Sequence, residues 1–384
     1  MSNKRLFIVT GDYSGDIHAG HVVQTLKKID PDVIVAAVGG QNLKKAGGYL
    51  LEDQSQMGRV GFGSVLGAPY HMALGRKVMK FLKDFNPDAV LLIDYGVFNL
   101  WLSGQLKKQG YKVYYFIPPQ VWASRKGRMK TIEKNIDHVF CIFPFEEIMY
   151  NEAGIPATYV GHPLTGELPP PADKTMFCQR HGLDPKKRIV GIFPGSRKME
   201  VDYLLEPLLG AAPKVLDYQP DTQFVLAHAS SLEDDYFNER FGKASAALEG
   251  TPVKVIQNEN HAILSVSDVI LAASGTVTLE AALYKTPMVI VYKGHPLVYQ
   301  VIKRVLSLPC IGLPNIINDV NYPIVPELWQ DEVSPAIIAQ AAKPFFDLKT
   351  LAAQNALKGF YHIIDELGQK KAMNIVASQI YQRI

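Results

Sequence analysis

The feature that most restricts how this chain can fold is an alternation that runs almost from end to end. Short apolar runs are followed each time by an amphipathic segment of helical length. That is the pattern of βαβ units feeding a parallel sheet. It predicts strands at Leu6–Thr10, Val33–Val38, Ala89–Ile93, Lys112–Phe116 and His138–Phe143. The stretch Gly161–Lys174 then breaks the rhythm with four prolines and a Thr-Gly turn, as a linker does. Strands resume at Arg188–Phe193, Gln223–Ala227, Val253–Ile256, Val269–Ala272 and Met288–Tyr292, and from Pro335 onward only helical signals remain. The expectation is an α/β protein of two Rossmann-like, doubly wound parallel-sheet domains. Such folds bind ligands outside the carboxyl ends of their strands, so a cleft between the two sheets is the expected site.

Composition narrows the function classes. A chain of 384 residues with 47% hydrophobic and 20% charged residues is an ordinary globular protein of about two domains. A net charge of +3 gives no overall field for nucleic acid. Cys141, Cys178 and Cys310 have neither zinc-site spacing nor disulfide density, which fits a reducing cytoplasm. The apolar run near the N-terminus is too short for a signal peptide, and no stretch reaches the length of a membrane span.

The loops just after strands carry the chemistry. Pro194-Gly195-Ser196-Arg197 pairs a glycine turn and a helix start with a guanidinium, a combination suited to a diphosphate; the alternative is a plain turn with a surface arginine. Ser274-Gly275-Thr276 is a second small-residue turn opening a helix, again suited to an anion. Glu280, one turn deeper, can accept hydrogen bonds from sugar hydroxyls or simply complement the helix dipole. Two such loops in one half point to a nucleotide with a diphosphate. Neither is a Walker A sequence, so ATP hydrolysis is not expected.

In the first half, Gly11-Asp12-Tyr13-Ser14-Gly15-Asp16 interrupts its glycines with carboxylates and is not a dinucleotide fingerprint. It suits hydroxyls better than phosphates, with helix capping by Asp16 as the competing role. Asp94, in Ile93-Asp94-Tyr95-Gly96-Val97-Phe98-Asn99, ends a strand and can act as a general base; the alternative is a turn-forming aspartate. His18 and His21 share a helix face without a third ligand, and Asp30-Pro31-Asp32 reads as a turn, so no metal is expected. Gly61–Tyr70 is glycine-rich and apolar and leads into a helix bearing Arg76, Lys77, Lys80 and Lys83. Such a stretch can rest on an anionic bilayer or receive an acyl chain, or be an ordinary loop and solvated helix face.

Taken in order, GDYSGD, MGRVGFGSVLG, IDYGVFN, IPPQVWASR, CIFPFE, YVGHPL, FPGSR, LAASGTVTLEAAL, PMVIVY, LPNIIND and VPELWQDEV resemble the bacterial lipid-A-disaccharide synthases over nearly the whole chain. The resemblance implies a GT-B architecture with residues 1–165 as an acceptor-binding domain, 166–345 as a UDP-sugar-binding domain, and helices in 346–384 returning to the first. It implies transfer of 2,3-diacylglucosamine from UDP to 2,3-diacylglucosamine 1-phosphate, without cofactor or metal, by a protein peripheral to the inner face of the inner membrane. A homodimer, in some members with exchanged C-terminal helices, is also implied. Catalytic roles carry over to Asp94, Arg197 and Asp12, and donor contacts to Gly195, Ser196, Arg197, Ser274, Gly275, Thr276, Glu280 and Asn315. Ser14, Asp16, Met57 and Asn99 fall on the acceptor side. Against the family pattern, Asp12 replaces a glutamate, Gly61 and Val97 replace acids, Gly96 replaces a proline, and Gly166 stands near a missing acid. All but the last lie in the first domain. The rival expectations are another GT-B UDP-sugar transferase or epimerase, or a non-catalytic nucleotide-sugar binder.

Overall fold

The computed structural model describes residues 3–11, 13–53, 68–121, 127–295, 309–368 and 370–384. The chain divides into two compact units, Met1–Gly166 with Leu367–Ile384, and Glu167–Glu366.

The first unit is built on strands β1 (Arg5–Thr10), β2 (Ile34–Gly39), β3 (Tyr49–Asp53), β4 (Ala89–Ile93), β5 (Val113–Phe116), β6 (His138–Cys141) and β7 (Ala157–Tyr159). They form one sheet in the order β3-β2-β1-β4-β5-β6-β7, and every pairing is parallel. The second unit uses β8 (Arg188–Phe193), β9 (Thr222–His228), β10 (Val253–Gln257), β11 (Val269–Ala273), β12 (Met288–Tyr292) and β13 (Glu327–Trp329). Their order is β10-β9-β8-β11-β12-β13, again all parallel.

Alternate residues of a strand face opposite sides of its sheet, and here both sides are covered. In the first unit, Phe7, Val9, Val90 and Leu92 pack into one core while Leu6, Ile8, Leu91 and Ile93 pack into another. The second of these cores is completed by Val376, Ala377 and Ile380 of the last helix, Ala372–Arg383. That helix lies against the first, Tyr13–Ile29, tied by the Thr25–Asn374 side-chain hydrogen bond of 2.9 Å. The C-terminal segment thus closes the first unit.

Three strands have no counterpart in the sequence expectations: β3, β7 and β13. All three are sheet edges, and none is buried throughout. A strand covered incompletely needs no continuous apolar run.

Strand order reverses between β1 and β4 in the first sheet and between β8 and β11 in the second. At such a switch point the loops leaving the two central strands diverge and open a crevice. The four loops singled out above leave β1, β4, β8 and β11.

Candidate active site

In the second unit the two loops meet. A cavity of about 260 Å³ is lined by Gly195, Ser196 and Arg197 after β8 and by Ser274, Gly275 and Thr276 after β11, with Glu280 in its wall. The two helix starts are not equivalent. At the helix Lys198–Leu216, Glu200 Oε2 accepts from the Ser196 and Arg197 backbone N–H groups at 2.9 and 3.2 Å, and Oε1 accepts from Arg197 Nη1 at 2.6 Å. This start already carries its own anion. Gly195, at φ +113°, has left-handed backbone, and a Cβ there would collide with the Glu200 side chain. The expectation that both helix starts present open N–H groups therefore holds for one of them only.

The open start belongs to the helix Thr276–Leu283. Its N-cap is Gly275, and no side chain caps it. Thr278 turns inward, donating from both its backbone N–H and its hydroxyl to the Gly275 carbonyl at 3.1 and 2.7 Å. The preceding backbone N–H groups are left with their partial positive charge toward the cavity. Arg197, with a side chain 77% exposed and paired with Glu200, places a full charge beside them.

Glu280 is largely buried. Burial pushes its carboxyl pKa up, opposed by the smaller influence of His261, whose Nδ1 lies 3.7 Å from Oε2. A raised folded-state pKa contributes stability below the ordinary carboxylate range that is lost as pH rises through the folded value. Glu280→Gln is therefore expected to raise Tm at pH 8 and leave it nearly unchanged at pH 4. Thermal melts at both pH values check this; a lower Tm at pH 8 would contradict it.

In the first unit, Asp94 is half-buried at the carboxyl end of β4. Its N–H still pairs with the Phe116 carbonyl at 3.1 Å, but its φ is +48° and that of Tyr95 is +55°. Two successive non-glycine residues in the left-handed region cost about 1–3 kcal/mol each and persist only when their surroundings hold them. The Asp94 carbonyl accepts from Asn99 Nδ2 and from the Tyr115 hydroxyl, both at 2.8 Å. On the other side the Tyr95 ring covers Gly11, where a Cβ would strike it, and the Tyr95 hydroxyl lies 2.7 Å from His71 Nε2.

The remaining candidates are placed differently. Asp16 is 2% exposed; its carboxylate accepts from the N–H groups of Gly40, Asn42 and Leu43 and from the Asn42 amide. It caps the short helix Gln41–Lys45, so its oxygens serve backbone. Asn315 is fully buried outside the cavity, accepting from the Ile324 and Val325 N–H groups and donating to the Val325 carbonyl and Glu327. Asn99 is likewise buried and directed at backbone carbonyls. Ser14 is exposed in the first turn after β1. Asp12, Met57 and residues 61–67 lie outside the described residues. Asp30 accepts from the Asp32 N–H, as a turn requires. Among the described residues no group of three or more His, Cys, Asp or Glu is placed to hold a metal.

Sequence reading missed Tyr115 and Glu200. The first is hidden in an apolar run; the second had a signal, an acid three residues past the helix N-cap.

The chain matches the family model described as Lipid-A-disaccharide synthetase over residues 6–380. It belongs to that family. A lipid-A-disaccharide synthase from Syntrophotalea carbinolica is 40% identical over 339 residues, 88% of this chain and 85% of that one. Among solved structures, a glycosyltransferase from Rickettsia africae superposes with TM-score 0.59 at 15% identity, covering 100% of this chain and 98% of that one. A UDP-GlcNAc 2-epimerase from Neisseria meningitidis gives TM-score 0.62 at 13% identity, covering 98% and 100%. At such identities the likeness shows the fold, GT-B, which transferases and epimerases share. Membership of the lipid-A-disaccharide synthase family separates them and makes this chain a glycosyltransferase of lipid A biosynthesis.

Proposed function

We propose that the chain joins UDP-2,3-diacylglucosamine to 2,3-diacylglucosamine 1-phosphate by a single inverting displacement that needs no metal. The observation that supports the donor assignment most is the cavity of the second unit, where an uncapped helix start, Arg197 and the buried Glu280 converge. The diphosphate sits at the N–H groups of Gly275 to Val277, with Arg197 leaving Glu200 to meet it, and Glu280 accepts from ribose hydroxyls. Asp94 takes the proton from the acceptor's primary hydroxyl. That oxygen bonds to the anomeric carbon while the bond from this carbon to the diphosphate breaks and UDP departs. Negative charge grows on the leaving group, and each well-placed donor there contributes roughly 2.7–4 kcal/mol by analogy with oxyanion sites. Val97, 74% exposed, leaves no second acid at that turn, so proton transfer rests on Asp94.

Incubating the purified chain with both substrates and detecting disaccharide 1-phosphate by mass spectrometry tests the proposal. Release of UDP without that product would assign a different acceptor.

Peripheral contact with the inner membrane belongs to the same proposal. Met72, Arg76, Lys80 and Lys83 form an exposed stripe on the helix Ala68–Phe85. Exposed Val97 and Trp101 lie on the adjoining helix Gly96–Lys108, which meets the stripe's helix where the Trp101 ring covers Gly75. No helix among the described residues is long and apolar enough to cross a membrane. With about 1 kcal/mol per basic residue near an anionic surface, Arg76→Glu with Lys80→Glu should cut binding to anionic phospholipid vesicles more than tenfold. Equal cosedimentation of wild type and variant would contradict it.

A further inference from the structure

We infer that Tyr115 and Asn99 are positioning residues for Asp94, holding the peptide that joins it to Tyr95 in one orientation. This rests on the reading of Asp94 as the base and goes beyond it.

β4 ends in register with β5 at Ile93, and the chain then passes through two left-handed residues, Asp94, whose N–H still pairs with the Phe116 carbonyl, and Tyr95, before entering the helix Gly96–Lys108. Aspartate tolerates that conformation; a tyrosine does so reluctantly. Rotating Asp94 about its N–Cα bond to a negative φ would relieve its strain and swing its side chain and its carbonyl together. Two donors oppose that turn, and they come from different elements. The Tyr115 hydroxyl reaches across from β5, and Asn99 Nδ2 reaches back from the helix, each 2.8 Å from the Asp94 carbonyl. The same Asn99 amide is 3.3 Å from the Ile93 carbonyl and 3.5 Å from that of Val9, so it also stitches β4 to β1 at the switch point.

Neither donor faces a substrate. Tyr115 and Asn99 are both fully buried, so neither side chain can touch a bound substrate. Burial raises the Tyr115 hydroxyl pKa well above its ordinary value, and the hydroxyl stays a donor at every working pH.

The test compares Tyr115→Phe, Asn99→Ala, the double variant and Asp94→Ala in the transfer reaction, with UDP affinity by calorimetry and Tm alongside. Tyr115→Phe keeps the ring and removes one of the clamp's two donors. A displaced catalytic group costs up to about a hundredfold, so a fall in kcat of about tenfold or more is expected, with KM and UDP affinity unchanged within twofold. Because the two donors share one acceptor and loss of one is expected to release it, the double variant should fall short of the product of the single effects, and effects that simply multiply would overturn a shared clamp. Full kcat in Tyr115→Phe with Asp94→Ala inactive would overturn the clamp while leaving the base intact. A parallel loss of kcat, UDP affinity and Tm would also overturn it, as a general structural role. Turnover surviving Asp94→Ala would instead remove the base, and the reading beneath this inference with it.

Discussion

Asp94→Asn is expected to lower kcat by about 10²–10⁴, the range over which a positioned proton acceptor contributes. UDP affinity should stay near that of the wild type. The substitution is nearly isosteric, so the strained turn keeps its shape and the carbonyl keeps its two donors, Asn99 and Tyr115. What disappears is the ability to accept a proton. Because Asp94 is the one acid in Ile93–Asn99, no second carboxylate in that turn can substitute. Titration calorimetry with UDP, run beside turnover, separates the two effects. A variant with unimpaired kcat would remove Asp94 from the chemistry, and one that lost UDP binding would show that the change reached beyond the proton transfer.

The second large effect is expected at Gly275. Its backbone is extended, at φ 168°, and a Cβ there meets nothing within 4 Å, so Gly275→Asp fits without strain. Aspartate is at least as good an N-cap as glycine, better by a few tenths of a kcal/mol, so Tm should hold or rise slightly. The new carboxylate, however, occupies the space assigned to the diphosphate. Two like charges 4 Å apart at an effective dielectric of about 20 repel by about 4 kcal/mol, so UDP affinity should fall by about 10²–10³. Uridine, which lacks the diphosphate, should bind wild type and variant alike. Equal loss of both ligands would mean that the helix start does not hold the phosphates.

Much of this was legible in the amino-acid order. The central strands declare themselves because they are buried on both faces and must be apolar throughout. β3, β7 and β13 do not, because an edge strand meets that demand only in part. The loops after β1, β4, β8 and β11 were legible as glycine turns following strands. That they flank the two switch points is a property of strand order, which local sequence does not carry.

Side-chain roles were less legible. Asp16 and Asn315 sit in motifs that read as ligand contacts, yet a buried polar group must first be satisfied, and both spend their atoms on neighbouring backbone. Asn99 does the same, but for the residue that matters most to the chemistry. Tyr115 looks like one more apolar-strand aromatic until its hydroxyl is found at the Asp94 carbonyl. Glu200 shows the opposite case: its spacing from Arg197 is a capping signal, overshadowed by the arginine beside it.

The most direct measurement is a crystal structure of the chain with UDP. Both phosphates should lie within hydrogen-bond distance of the Gly275 to Val277 N–H groups, with Arg197 turned from Glu200 to the diphosphate and Glu280 at the ribose. Uridine bound away from the loops after β8 and β11, or phosphates held elsewhere with the Arg197–Glu200 pair intact, would contradict the account.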